Sequence, residues 1–163
     1  KVRFVVRVAR GIKHKTDQIP GHEADRALQN RGVVQQRKPE AVRFAKALSA
    51  STGAVVAITG AIDIVADEGK AYIIRNGHTM MSQITGTGCM LTALIAAYCG
   101  ANPDRLLDAA AAAVAAMGLC GEIAYKRTSE AGAGTGTFRT LLIDAMSQLD
   151  SEALNGGIKV EIA

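Results

Sequence analysis

The 163-residue chain has no tryptophan, three phenylalanines and three tyrosines, so no large aromatic side chains are there to dominate a core. With many alanines in their place, the interior must be built from small aliphatic side chains, with helices in close contact. Cysteine is equally scarce: Cys89, Cys99 and Cys120 are odd in number and lack paired spacing. That argues against a disulfide framework or a cysteine zinc site, and for a reducing compartment. The three histidines, His14, His22 and His78, have no ligand spacing either, which argues against a histidine metal site. No signal-peptide pattern opens the chain, because Arg3, Arg7 and Arg10 interrupt its apolar residues. The Ala-rich run from Leu106 to Cys120 is weakly hydrophobic and broken by Asp108, which reads against a membrane span. A cytoplasmic protein without a membrane partner is expected. The formal net charge of +4 owes much to Arg and Lys crowded into the first fifty residues. Without aromatic interleaving or a recognised binding motif, that charge does not make a nucleic-acid reader.

What is present is 48% hydrophobic and 21% charged, the balance of a soluble globular protein of one domain over residues 1–163. Residues 2–9 read as a strand, and residues 12–30 carry no sustained period. A helix is expected from Pro39 to Ser51, with Pro39 at its first position and Gly53 as its stop. Ala54 to Thr59 is a short apolar run ending at Gly60, the pattern of a central strand buried on both faces. Two more strands, Ile62–Val65 and Ala71–Arg75, flank Asp67-Glu68-Gly69, and Asn76-Gly77 is a turn signal. A buried helix follows over Leu91–Cys99, and Asn102-Pro103-Asp104 reads as the cap and first turn of the next, which should reach about Tyr125. Gly118 and Gly121 are weak points in that helix or places where another helix approaches. A last helix is expected over Phe138–Leu149, with a frayed tail from Gly156-Gly157 onward. Strands followed by helices in this order make an α/β, three-layer protein.

The chemistry concentrates in Thr85-Gly86-Thr87-Gly88-Cys89, which leads directly into the apolar run. A glycine-rich turn opening a helix leaves unpaired backbone N–H groups at the positive end of the helix dipole, a setting that suits a phosphate. Cys89 in the first turn is placed where a thiolate is favoured. Neither common phosphate signature fits, since no Gly-Lys-Ser/Thr follows and Leu91 stands where a dinucleotide fingerprint needs its third glycine. The same residues are equally consistent with a plain strand-to-helix turn in which Cys89 is a small buried hydrophobe. Asp63 and Asp67 are either acid/base groups or turn shapers, and Cys99 and Cys120 read as core.

Five motifs in one order carry a resemblance: Ala57-Ile58-Thr59-Gly60, Asp63 with Val65-Ala66-Asp67, Asn76-Gly77-His78, Thr85 to Cys89, and Gly134-Thr135-Gly136-Thr137-Phe138. Together they resemble the C-terminal half of hydroxyethylthiazole kinase, a thiamine-pathway enzyme of the ribokinase-like superfamily. The likeness is close over residues 54–98 and poor over residues 1–30. It implies a ribokinase-like three-layer α/β/α fold with a mainly parallel sheet, incomplete at the N-terminus. It further implies transfer of the ATP γ-phosphate to the hydroxyl of 4-methyl-5-(2-hydroxyethyl)thiazole, with Mg²⁺, in a homotrimer.

On the matching positions, the resemblance makes Cys89 the catalytic residue, Thr59 and Arg10 ATP contacts, and Gly86 a backbone contact to substrate. Thr87 and Gly88 complete the anion hole with their N–H groups. One departure stands out. The family follows its Arg-Gly with Asn and then Glu, which help hold Mg²⁺, whereas this chain has Ile12, Lys13, His14 and Lys15, leaving the metal ligands unknown. A catalytically inactive remnant acting as an assembly partner is the alternative, and a kinase of another small alcohol a third reading.

Overall fold

The computed structural model describes residues 4–8 and 39–163 of the chain. Strand β1 (Phe4–Val8) lies beside β2 (Val55–Thr59), and a helix over residues 39–52, α1, joins the sequence between them. Strands β3 (Asp63–Ala66) and β4 (Ala71–Ile74) follow as a hairpin. A 3₁₀ turn (Thr79–Gln83) then leads to α2 (Thr87–Ala101), α3 (Leu106–Glu130), α4 (Thr135–Gln148), α5 (Ser151–Gly157) and a last strand, β5 (Val160–Ile162). The strands form one sheet in the order β1-β2-β3-β4-β5.

Alternation along the strands divides the core in two. Val56, Ile64, Ala66 and Ala71 point to one side, where Ala45 of α1 covers them with Ala41, Val42 and Leu48. Ala57, Val65 and Ile74 point to the other, where they meet α2, α3 and α4. This is the three-layer α/β/α arrangement expected from the sequence, and β2 is buried on both faces through Val56 and Ala57. The mainly parallel sheet is corrected among the described strands. Only β1 and β2 run parallel, while β2–β3, β3–β4 and β4–β5 are antiparallel. Short connections explain the first two of these, because three residues after β2 and four after β3 allow only hairpins, whereas a parallel return needs a crossover.

The small-residue core is centred on α3. Seven of its alanines are buried, with Val114, Met117 and Cys120 among them. Its glycines admit neighbours that any side chain would exclude, although the neighbours are not helices as expected. A Cβ on Gly118 would lie 2.7 Å from the Asn76 backbone, and one on Gly121 would collide with the Met81 side chain. The connection from β4 to α2 is thereby pressed onto α3.

Three boundaries differ from expectation. The helix over the apolar run is buried on one stripe only, Leu91, Ile95 and Cys99 at spacing four, while Thr92, Ala93, Ala96 and Ala97 are exposed. Asn102 ends α2 instead of starting α3: its N–H bonds to Cys99 C=O and its carboxamide to Tyr98 C=O. Lastly, the tail is ordered. Asp150 caps α5 by accepting Ala153 N–H at 2.8 Å, and β5 then adds to the edge of β4. Buried Asn76 fastens this end, donating to Gly157 C=O at 2.9 Å and accepting Lys159 N–H at 2.7 Å.

Candidate functional site

Gly86 is the N-cap of α2, with φ of 101° in the left-handed region that glycine enters without steric cost. That single conformation turns the chain from the 3₁₀ segment into the helix. Met90 N–H bonds back to Gly86 C=O at 2.9 Å, whereas the N–H groups of Thr87, Gly88 and Cys89 have no acceptor among the described residues. No side chain caps the helix either. The first turn therefore keeps the open donors and partial positive charge that favour an anion. Thr87 Oγ1 donates to Met81 C=O at 3.3 Å, tying the turn to the segment held against α3. Thr92 Oγ1 donates to Gly88 C=O at 2.9 Å. Cys89 is exposed, so the alternative of a buried hydrophobe does not hold. Cys99 and Cys120 are buried as expected, and burial raises both thiol pKa values, that of Cys120 to about 11.

Gly86, Thr87, Gly88 and Cys89 thus share one turn. Thr59 stands elsewhere, half-buried at the end of β2, and makes no hydrogen bond to that turn among the described residues. Arg10 lies outside the described residues. Just past Thr59, Gly60 N–H donates to Asp63 Oδ1 at 2.8 Å. Asp63 is half-buried, and desolvation pushes its carboxyl up to about 7 against the lowering effect of that bond. Asp67 performs a similar task in the next turn, accepting Gly69 N–H at 2.9 Å and Lys70 N–H at 2.7 Å. Both aspartates are turn shapers in this geometry.

Sequence reasoning missed Glu122. Its Oε1 accepts Gly77 N–H at 3.0 Å and its Oε2 pairs with Lys159 Nζ at 2.7 Å, so one α3 carboxylate holds both the turn after β4 and the approach to β5. The signal was an acid four residues after Gly118 that ends the uncharged run Ala109 to Gly121. His78 belongs to the same corner, stacked on Tyr125 with ring centroids 3.4 Å apart, and burial lowers its pKa. Its Nδ1 accepts Met80 N–H at 3.2 Å. Among the described residues no cluster of three or more His, Cys, Asp or Glu is placed to hold a metal ion.

At the opposite end of β2, a groove of about 460 Å³ lies beside Val55, Lys70, Arg105 and Asp108. Lys70 and Arg105 are both engaged there by Asp108. Asp108 accepts Tyr72 Oη–H at 2.5 Å and Arg105 Nη2 at 2.9 Å, and these bonds lower its pKa. Lys70 Nζ donates to the same tyrosine oxygen.

A sheet layered between helices, with a left-handed glycine opening a helix whose first N–H groups have no acceptor among the described residues, fits an α/β protein of the ribokinase-like kind. Comparison with known proteins narrows this. The model of the hydroxyethylthiazole kinase family matches residues 12–152. Hydroxyethylthiazole kinase of Clostridium acetobutylicum is 52% identical over 120 residues, covering 74% of this chain and 44% of that protein. The Ruminiclostridium cellulolyticum protein of the same name is 38% identical over 148 residues, covering 91% of this chain and 53% of that one. A solved structure of hydroxyethylthiazole kinase protein from Pyrococcus horikoshii OT3 superposes with a TM-score of 0.68 at 28% identity, over 77% of this chain and 47% of that one. The chain belongs to the hydroxyethylthiazole kinase family, and it spans about half the length of the curated relatives it matches.

Proposed function

We propose that the chain supplies the phosphoryl-transfer end of an ATP-dependent kinase acting on 4-methyl-5-(2-hydroxyethyl)thiazole in thiamine biosynthesis or salvage. One observation carries the reading: three N–H groups, those of Thr87, Gly88 and Cys89, without an acceptor among the described residues, behind a left-handed Gly86, with an exposed thiol in the same turn. Phosphoryl transfer asks a protein for positioning and charge stabilisation more than for covalent chemistry. The substrate hydroxyl attacks the γ-phosphorus, the bond to the bridging oxygen breaks, and ADP leaves with that electron pair. The N–H groups of residues 87–89 receive negative charge on the transferring group, as an oxyanion hole does. Cys89 orients the attacking hydroxyl and takes up its proton. Gly86, lacking a side chain, lets the thiazole approach the backbone.

Thr59 and Arg10 are the ATP contacts in this reading, on the strength of their match to the family motifs. Magnesium enters with the triphosphate, whose chemistry requires it. The described residues offer no ligand cluster of their own for it. A homotrimer with sites at subunit contacts and a cytoplasmic setting belong to the same proposal.

A coupled assay of ADP release with ATP, Mg²⁺ and the thiazole alcohol tests it. Turnover is expected, and Cys89→Ala should lower kcat by about 10²–10⁴-fold, the range for loss of a proton-transfer group. Absence of turnover in a folded chain would favour the inactive remnant, and turnover only with a different alcohol would move the substrate.

A further inference from the structure

We infer that Asp63 is a positioning residue for the nucleotide, acting on Thr59 through the Gly60 turn. The inference rests on the reading of Thr59 as an ATP contact. The β2–β3 ladder pairs Ala57 with Val65 and Ile58 with Ile64, so the next step along the register sets Thr59 opposite Asp63. Ala57 and Val65 face α2, α3 and α4, and alternation turns Thr59 and Asp63 to the same side. That is the face on which α2 and its open first turn lie.

Only Gly60, Ala61 and Ile62 connect the two strands, and the Asp63 carboxyl bonds to the first of these N–H groups at 2.8 Å. Where Thr59 stands is therefore fixed by a side chain outside its own strand.

Among the described residues, no ionisable group on a neighbouring element is bonded to Asp63. Tyr72 of β4 and Asp108 of α3 bond to each other, Glu122 of α3 pairs with Lys159, and Arg75 beyond β4 pairs with Glu161. With desolvation placing the carboxyl at about 7, it changes charge in the working range of a cellular enzyme. The ionised form is the stronger acceptor for Gly60 N–H, so the turn tightens above that pH.

The test is ATP binding by the full chain, with two-dimensional amide NMR to watch the turn. In the wild type the Gly60 amide should titrate with a midpoint of about 7. Asp63→Asn keeps the acceptor and loses the charge, so it should retain ATP binding while the Gly60 titration disappears. Asp63→Ala loses the acceptor and should weaken ATP binding by at least about tenfold, with binding of the thiazole alcohol unchanged. Wild-type binding of ATP with Asp63→Ala equal to it, or a Gly60 amide that does not titrate, overturns the inference alone. A Gly60 amide that titrates in a wild-type chain indifferent to ATP overturns the nucleotide reading, and the inference with it.

Discussion

Replacing Gly118 by alanine is a direct test of how α3 meets the connection between β4 and α2. In an ordinary helix interior this change stabilises by up to about 1 kcal/mol, because alanine loses less backbone freedom on folding. Here the new methyl would lie 2.7 Å from the carbonyl carbon, carbonyl oxygen and Cβ of Asn76. Ordinary contact between such atoms is at about 3.5–4 Å, so the helix and the segment must part by roughly 1 Å. Asn76 resists moving because its carboxamide is held by Gly157, Lys159 and Glu122. Overpacking of this kind costs about 1–3 kcal/mol, so that after the helix gain of up to about 1 kcal/mol is subtracted a net destabilisation of up to about 2 kcal/mol remains. For a chain of this size that corresponds to a fall in Tm of up to roughly 8 °C. Gly100, also helical, has nothing within 4 Å of an added Cβ, so Gly100→Ala should raise Tm. Thermal melts and urea titrations of the two variants beside the wild type decide the matter. If Gly118→Ala is as stabilising as Gly100→Ala, the close approach described here is wrong.

Two further outcomes follow from burial. Under native conditions a thiol reagent such as DTNB should modify Cys89 promptly and reach Cys99 and Cys120 only on unfolding; rapid labelling that survives Cys89→Ala would contradict the assigned burial. Asp63 should make stability depend on pH. Its carboxyl titrates near 3.8 when unfolded and at about 7 when folded, so between these values the native state holds a proton that the unfolded chain has released. Stability from this group therefore falls as pH rises from about 4 to 7, by up to about 4 kcal/mol. Urea titrations at pH 5 and pH 8 should show this drop in the wild type and a much smaller one in Asp63→Asn; equal drops would refute it.

Much of the layering was legible because it depends on local pattern. The run from Val55 to Thr59 is β-branched and ends at glycine, and the long alanine stretch of α3 has nowhere to go but the interior. The turn at Gly86 was legible for a similar reason, as two glycines among hydroxyls immediately before an apolar run have few other uses. What pattern could not supply was the destination of the C-terminal residues. Val160–Ile162 is too short to stand as a strand alone, although Ile158, Val160 and Ile162 alternate with Lys159 and Glu161, and it becomes one because β4 offers an unpaired edge and Asn76 holds Lys159 beside it. Likewise, Asn102-Pro103-Asp104 has the composition of a helix start. Its neighbours decide otherwise: Asn102 serves the carbonyls of the preceding helix, and α3 begins at Leu106. The role of Glu122 has no local signature, because its partners lie 37 and 45 residues away in sequence.

The added strand β5 also has a bearing on handling the protein. By covering β4 it hides a row of backbone donors and acceptors flanked by Tyr72, Ile73 and Ile74, a segment rich in strand-forming residues. Trimming the chain back past Lys159 would bare that template, and an uncovered apolar edge recruits other molecules into sheets. A shortened version made for crystallisation or display would therefore be at risk of clumping well before its helices lost their packing.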